Sequence, residues 1–346
     1  MTQNEPDAVA KLFSPCLRNR SRLIEATAAM KNASDSTLHR RAFLKSTATL
    51  GAAMALPVPM TAAEAPQSGK RIGFVDLNSD NYHANVFLQA LRGPLASRGF
   101  TIAGATGTRK EESRAWAEKN RVPFADNEDE LNGGVDFFMI LAPSNPEVHL
   151  DLCRRILPFG KPTYVDKTFA PNYDIARQIF ALADQHRTPM QTSSALRYTN
   201  VQDEVRKAGA RVEHMIAWGG GGSFDEYAIH PLELLISVMG HDATALMRRG
   251  APERAQLLIE FAGGRTGVAN VFPKTTTPFA ASFTTEKATR YLEVDVPKIF
   301  ANNLAAILDF FIAGKPNIDR RESLVIMRLL DAARDPKALR EFVRWS

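Results

Sequence analysis

The segment Asp76-Leu77-Asn78-Ser79-Asp80-Asn81-Tyr82-His83 gathers two carboxylates, a histidine and several amides and hydroxyls into little more than one helical turn. Aspartate and histidine are apt ligands for Zn or Mn, so Asp76, Asp80 and His83 form a candidate divalent-metal set, and the same groups suit sugar hydroxyls. They also read as a helix cap, with Ser79 or Asp80 holding free backbone N–H groups and His83 on the first turn. Glu226, His230 and Glu233 stand at i, i+4 and i+7, on one face if their helix begins early. Gly219 to Gly222 lie just before them and either admit backbone close to a ligand or form a turn. They are no phosphate loop, because neither Lys-Ser nor Lys-Thr follows. Cys153 stands alone once Cys16 is assigned to the leader, which excludes an intramolecular disulfide or a cysteine metal site in the body.

The elements that must position these groups alternate. Arg71 to Asp76 is an apolar run, Asp80 to Arg98 has helical spacing, and Phe100 to Ala105 is apolar again. Val135 to Ala142, Pro162 to Asp166 and Met190 to Ser194 read as further strands. Glu111 to Asn120, Pro146 to Phe159 and Tyr173 to His186 read as the helices between them. The pattern predicts an α/β, Rossmann-like doubly wound parallel sheet over 66–197. Beyond it, Val212 to Trp218, Gln256 to Phe261, Arg265 to Phe272, Phe279 to Thr285 and Tyr291 to Val296 read as successive strands, with a hairpin at Gly263-Gly264. This predicts an α+β domain over 198–346 with an open, mostly antiparallel sheet. The helices at 229–239, 299–313 and 322–333 are expected to cover one of its faces.

Residues 1–65 read as a leader. Arg40-Arg41-Ala42-Phe43-Leu44-Lys45, a mild apolar run and an alanine-rich end resemble a twin-arginine export signal, which implies a periplasmic protein handled by the Tat export machinery. Met30 is the expected true start. The apolar run is too short and too broken to make a stable membrane anchor. The leader holds 8 of the 43 basic and 5 of the 38 acidic residues, leaving 35 against 33 in the body. So balanced a body argues against a nucleic-acid partner.

Two segments bring in a family. Gly160-Lys161-Pro162-Thr163-Tyr164-Val165-Asp166-Lys167-Thr168-Phe169-Ala170 resembles the Gly-Lys-x-Val-x-x-Glu-Lys-Pro-x-Ala segment of the Gfo/Idh/MocA oxidoreductases, with Asp for Glu and Thr for Pro. Ala228-Ile229-His230-Pro231-Leu232-Glu233 is similar to that family's Gly-x-His-x-x-Asp. The resemblance implies hydride transfer between a sugar or polyol and NAD or NADP. It carries the catalytic roles onto Lys167 and His230, and places His149, Asp166, Glu226 and Glu233 at the substrate. It also implies a homo-oligomer. The chemistry suits these residue types: histidine takes a hydroxyl proton near neutral pH, and a lysine at a strand's carboxyl end stabilises the developing oxyanion.

One part of the pattern departs from the family. A dinucleotide-binding turn calls for Gly-x-Gly-x-x-Gly, and those places hold Asp76, Asn78 and Asn81. Carboxylates at a helix N-terminus are also poor company for a diphosphate. The acid expected to hold the ribose is replaced by Gly107, although Arg109 and Lys110 behind it would suit a 2′-phosphate. The alternative readings are therefore a lyase or hydrolase independent of NAD, assisted by a metal at Asp76, Asp80 and His83, or a non-catalytic carbohydrate binder.

Overall fold

A computed structural model describes residues 69–345; the leader, with Cys16, Met30 and the Arg40-Arg41 pair, lies outside the described residues. In chain order the first half comprises β1 (Arg71–Asp76), α1 (Tyr82–Arg92), β2 (Thr101–Gly107), α2 (Lys110–Asn120), α3 (Glu128–Gly134), β3 (Phe137–Ile140), α4 (His149–Ile156), β4 (Thr163–Asp166), α5 (Tyr173–Gln185) and β5 (Met190–Ser193). The five strands form one parallel sheet in the order β2-β1-β3-β4-β5, so the chain reverses direction between β1 and β3. All four residues of β3, β4 and β5 are buried, so β3 reads as an unbroken apolar run while β4 and β5 also bury polar side chains such as Asp166 and Gln191.

The second half comprises α6 (Asn200–Ala208), β6 (Val212–Gly221), α7 (Phe224–Tyr227), α8 (Ile229–Met239), β7 (Ala243–Arg249), β8 (Ala255–Phe261), β9 (Thr266–Pro273), β10 (Ala280–Thr285), β11 (Thr289–Glu293), α9 (Ile299–Ala313), α10 (Arg320–Arg334) and β12 (Val343–Arg344). Its sheet runs β11-β10-β6-β9-β8-β7-β12 and is antiparallel except for the β6–β9 pair. The Gly263-Gly264 turn joins β8 to β9, with Gly263 at φ 73°. Gly219 to Gly221 belong to the end of β6 rather than to a turn. A Cβ on Gly219 would stand 2.9 Å from Pro231 Cδ, so the bare backbone lets α8 lie close against the strand and brings His230 with it.

One helix departs from expectation. The helix 299–313 was expected over the second sheet. It instead packs Leu304, Ile307, Leu308, Phe310 and Phe311 into a core shared with Phe74, Phe87, Trp116 and Tyr164 of the first half. The stretch Val296–Ala313 is long and apolar enough to cross a membrane by composition alone, yet here its apolar face is protein core. Burying each such side chain stabilises the fold by about 1.5–3 kcal/mol as an upper estimate. Phe300 and Asn303 on α9 are thereby carried to the carboxyl ends of β4 and β5, where the candidate site lies.

Candidate functional site

Side chains from both halves meet at the carboxyl ends of the parallel strands. Asp166 closes β4 and is buried: its Oδ1 accepts hydrogen bonds from the Lys167 N–H at 2.8 Å and the Tyr164 hydroxyl at 3.2 Å, while Oδ2 lies 2.5 Å from His83 Nδ1. Tyr164 also donates to the Ser193 carbonyl at 2.8 Å, and Ser193 Oγ donates to Asn303 Oδ1 on α9 at 2.9 Å. The His83 ring is enclosed by Phe300 and Phe87 with centroids at 5.2 and 5.9 Å. The Lys167 ammonium is mostly buried and donates to the Pro143 carbonyl at 3.3 Å. The bond between Lys167 and Thr168 is cis.

His230, near the start of α8, is half-buried and approaches from the second half. Its Nδ1 is 2.8 Å from Ser194 Oγ just beyond β5, and Nε2 has no hydrogen-bond partner among the described residues. Tyr227 and Phe279 meet its ring edge-on. Burial, followed by the charges of Lys167 and His83, holds the imidazole well below its ordinary range. With Nδ1–H donating to Ser194, the free Nε2 carries the lone pair, and a neutral imidazole so placed is a proton acceptor beside a cation.

Three residues expected at the substrate have other work. His149 is fully buried, with Nδ1 2.9 Å from the Phe169 carbonyl and Nε2 2.6 Å from the Leu141 carbonyl. It ties the end of β3 to the segment after Lys167 and so positions the lysine from behind. His149→Ala should cost about 2–4 kcal/mol, because the buried carbonyl that receives the ring N–H loses its donor and the missing ring leaves a cavity. Equilibrium urea unfolding measures this, and a cost under about 0.5 kcal/mol would contradict the strut. Glu233 is also buried, paired with Arg197 in the turn after β5. Arg197 in turn holds Glu322 of α10 at 2.5 Å. Burial raises the Glu233 carboxyl above its ordinary range, opposed by the Arg197 charge. Glu226 accepts from Ser144 Oγ at 3.0 Å, so the i, i+4, i+7 trio is divided among three different partners.

The candidate metal set is not assembled. Among the described residues no three histidine, cysteine or acidic groups are placed to hold a metal ion, since His83 turns to Asp166 while Asp76 turns into its own loop. Asp76 is buried and accepts from the Asn78 N–H at 3.2 Å and from Asn81 Nδ2 at 2.7 Å, and the backbone N–H groups of Ala142 and Leu77 also favour its charged form. Asn81, rather than Ser79 or Asp80, is the N-cap of α1, accepting from Ala84 N at 3.0 Å. The Ser79 N–H donates to Ser113 Oγ at 3.1 Å, that of Asp80 to Asn78 Oδ1 at 2.9 Å, and that of Asn81 to the Ser79 carbonyl at 3.0 Å. Gly107 presses on this network, and a Cβ there would stand 2.1 Å from Ser113 Oγ.

Burial pushes the Asp76 carboxyl up to about 6 despite these N–H groups. Between the ordinary carboxylate range and that value the folded protein binds more protons than the unfolded chain. This contribution to stability is therefore fully present below about pH 4 and lost as pH rises through about 6, a change of about 3 kcal/mol. Unfolding of the protein and of Asp76→Ala across that range should show a difference that varies with pH in this sense; a constant difference would contradict it.

A nicotinamide dinucleotide needs loop N–H groups free to cradle its diphosphate. Here the N–H groups of residues 78 to 81 are already bonded within the protein, and Asp80 and Glu112 add carboxylates beside them, Glu112 accepting from Asn78 Nδ2 at 2.5 Å. Arg109, which would face a 2′-phosphate, lies 3.8 Å from the same Glu112. These residues do not fit the diphosphate. A cavity of about 460 Å³ lies elsewhere, among Tyr173, His241, Thr244, Arg321, Arg328 and Trp345.

Sequence reasoning passed over Ser194, Tyr164, Phe300, Asn303 and Arg197, whose partners lie 29 or more positions away except for the local Tyr164–Asp166 contact. Only Ser194 and Arg197 carried a signal, standing just past a strand end where sheet-based sites gather.

No family model matches the sequence, and no curated protein matches it significantly. Solved structures do. An apo scyllo-inositol dehydrogenase from Lactobacillus casei has a TM-score of 0.68 at 12% identity, covering 81% of this chain and 99% of its own. GenD2 from gentamicin A biosynthesis, in complex with NAD, scores 0.66 at 14% identity over 84% of this chain and 99% of its own. An oxidoreductase from Agrobacterium radiobacter, in complex with NAD+, L-tartaric acid and magnesium, scores 0.65 at 15% identity over 80% and 98%. The parallel and mostly antiparallel sheets of the described residues together form the fold of the Gfo/Idh/MocA-type dehydrogenases.

Proposed function

We propose that the chain is an oxidoreductase acting on a hydroxyl-bearing carbon of a sugar or polyol, with His230 and Lys167 at the substrate. The observation that carries this reading is the placing of Lys167 directly after β4 and of His230 against Ser194 directly after β5, the neighbouring strand of the parallel sheet. On this fold that is where a ligand sits. His230 Nε2 takes the hydroxyl proton, Ser194 holds the ring's other nitrogen, and Lys167 donates a hydrogen bond to the alkoxide that develops. Asp166 and His149 hold the lysine's backbone in place from either side. NAD is present in two of the solved neighbours, which supports the oxidoreductase reading. No hydride step is assigned to a dinucleotide in this chain, because the loop after β1 does not fit its diphosphate.

That same loop favours a second reading on the same substrates, redox-neutral elimination of water, with His230 again as base. One assay separates the two. The full chain is incubated with a panel of inositols, aldoses and alditols, with NAD+, NADP+, a phenazine dye or no acceptor, and the products are weighed by mass spectrometry. A product lighter by two hydrogens, formed only with an acceptor, supports the oxidoreductase. A product lighter by one water, formed without one, supports the second reading, and no product from any combination would count against both.

A further inference from the structure

In an open α/β sheet the ligand crevice lies where strand order reverses, here between β1 and β3. Two bridges cross it. The first is the Asp76 carboxylate at the end of β1, which accepts from the Asn78 N–H and Asn81 Nδ2 of its own loop and whose charge is favoured by the backbone N–H groups of Leu77 and, across the crevice, of Ala142 just past β3. Ala142 delivers that N–H from a left-handed backbone conformation, φ 51°, which an alanine adopts only at a cost. The second is the His83–Asp166 pair, which reaches from the first turn of α1 over β3 to the end of β4 at 2.5 Å, with Phe300 of α9 against the ring. A side-chain carboxylate thus takes the N–H groups that an anionic ligand would use, and an imidazole spans the space beyond them.

We propose that the crevice between β1 and β3 is closed from within by Asp76, Asn78, Asn81 and the His83–Asp166 pair, so that this chain does not hold a nicotinamide dinucleotide there. The closure removes both elements of diphosphate recognition, free backbone donors and a favourable field at a helix N-terminus, and it engages neither the Lys167 ammonium nor His230 Nε2 in a hydrogen bond. The inference stands apart from the proposed function, since dinucleotide binding is measured without any substrate.

The test begins with denaturing mass spectrometry of the purified full chain, where stoichiometric NAD(H) or NADP(H) would overturn the proposal at once. The desalted protein is then titrated calorimetrically with NAD+, NADH, NADP+ and NADPH. Dissociation constants of about 1 mM or weaker are expected, and micromolar binding of any of the four would overturn the closure. The variant Asp76→Gly/Asn78→Gly/Asn81→Gly, checked for folding by circular dichroism, should bind at least about tenfold more tightly. Should it fail to fold, Asp76→Gly alone removes the carboxylate and should shift binding the same way. A folded variant that binds no better than the wild type would show that these side chains are not what shuts the crevice.

Discussion

Lys167→Met and His230→Ala are each expected to lower kcat/KM on the true substrate by about 10²-fold or more, equivalent to about 3 kcal/mol of transition-state stabilisation. The Met side chain fills nearly the same space as Lys167 and forfeits only the ammonium's bond to the Pro143 carbonyl, so the variant should fold. The pH profile distinguishes the roles. Since burial and the charges of Lys167 and His83 hold His230 well below the ordinary imidazole range, the acid limb of kcat/KM should lie well below pH 6.5. Lys167→Met removes one of those charges and should move that limb upward, whereas His230→Ala should abolish it. Should both variants keep near-full activity and an unchanged profile, the assignment of the pair is wrong.

Arg197→Met is expected to destabilise the protein by about 3–5 kcal/mol, a large share of a typical folding free energy. The guanidinium is buried between Glu233 of α8 and Glu322 of α10, and its removal leaves two carboxylates facing each other in a shielded space. The repulsion depends on ionisation, which gives the effect a sign in pH. Glu233 is already raised by burial, and without its partner it rises further. The deficit should therefore be largest near neutral pH and shrink as pH falls and the carboxylates protonate. Urea unfolding of wild type and variant at several pH values measures it. Replacing all three residues together, Arg197→Met with Glu233→Gln and Glu322→Gln, should recover much of the loss. A single variant less than about 1 kcal/mol below wild type would mean that water reaches the carboxylates.

Much of this architecture is written in local sequence. The run Thr163 to Asp166 with Lys167 behind it, the helix opening near His230, and the paired glycines between β8 and β9 each follow from composition and period. What escaped has no local signature. The His83–Asp166 pair joins positions 83 apart, and Arg197 meets Glu322 across 125. Two residues misled because their type suits chemistry and structure equally: His149 braces carbonyls, and Glu233 balances a buried cation. Helix α9 is apolar on nearly every face, so its periodicity does not say which sheet it covers, and only its packing against Phe87 and Tyr164 decides. Strand β7 was passed over because its Arg248 and Arg249 end the run with charge, although Met247 and Arg248 pair in register with β8.

The most direct test of the central claim is a nuclear magnetic resonance titration of the full chain with the first sugar or polyol that it converts. The His230 ring signals are assigned by comparison with His230→Gln. If the substrate hydroxyl sits at Nε2 beside Lys167, those signals should shift saturably with a midpoint equal to the binding constant, and Lys167→Met should weaken the midpoint. Ring signals that stay unmoved at saturating substrate would place the chemistry elsewhere in the molecule and contradict the account.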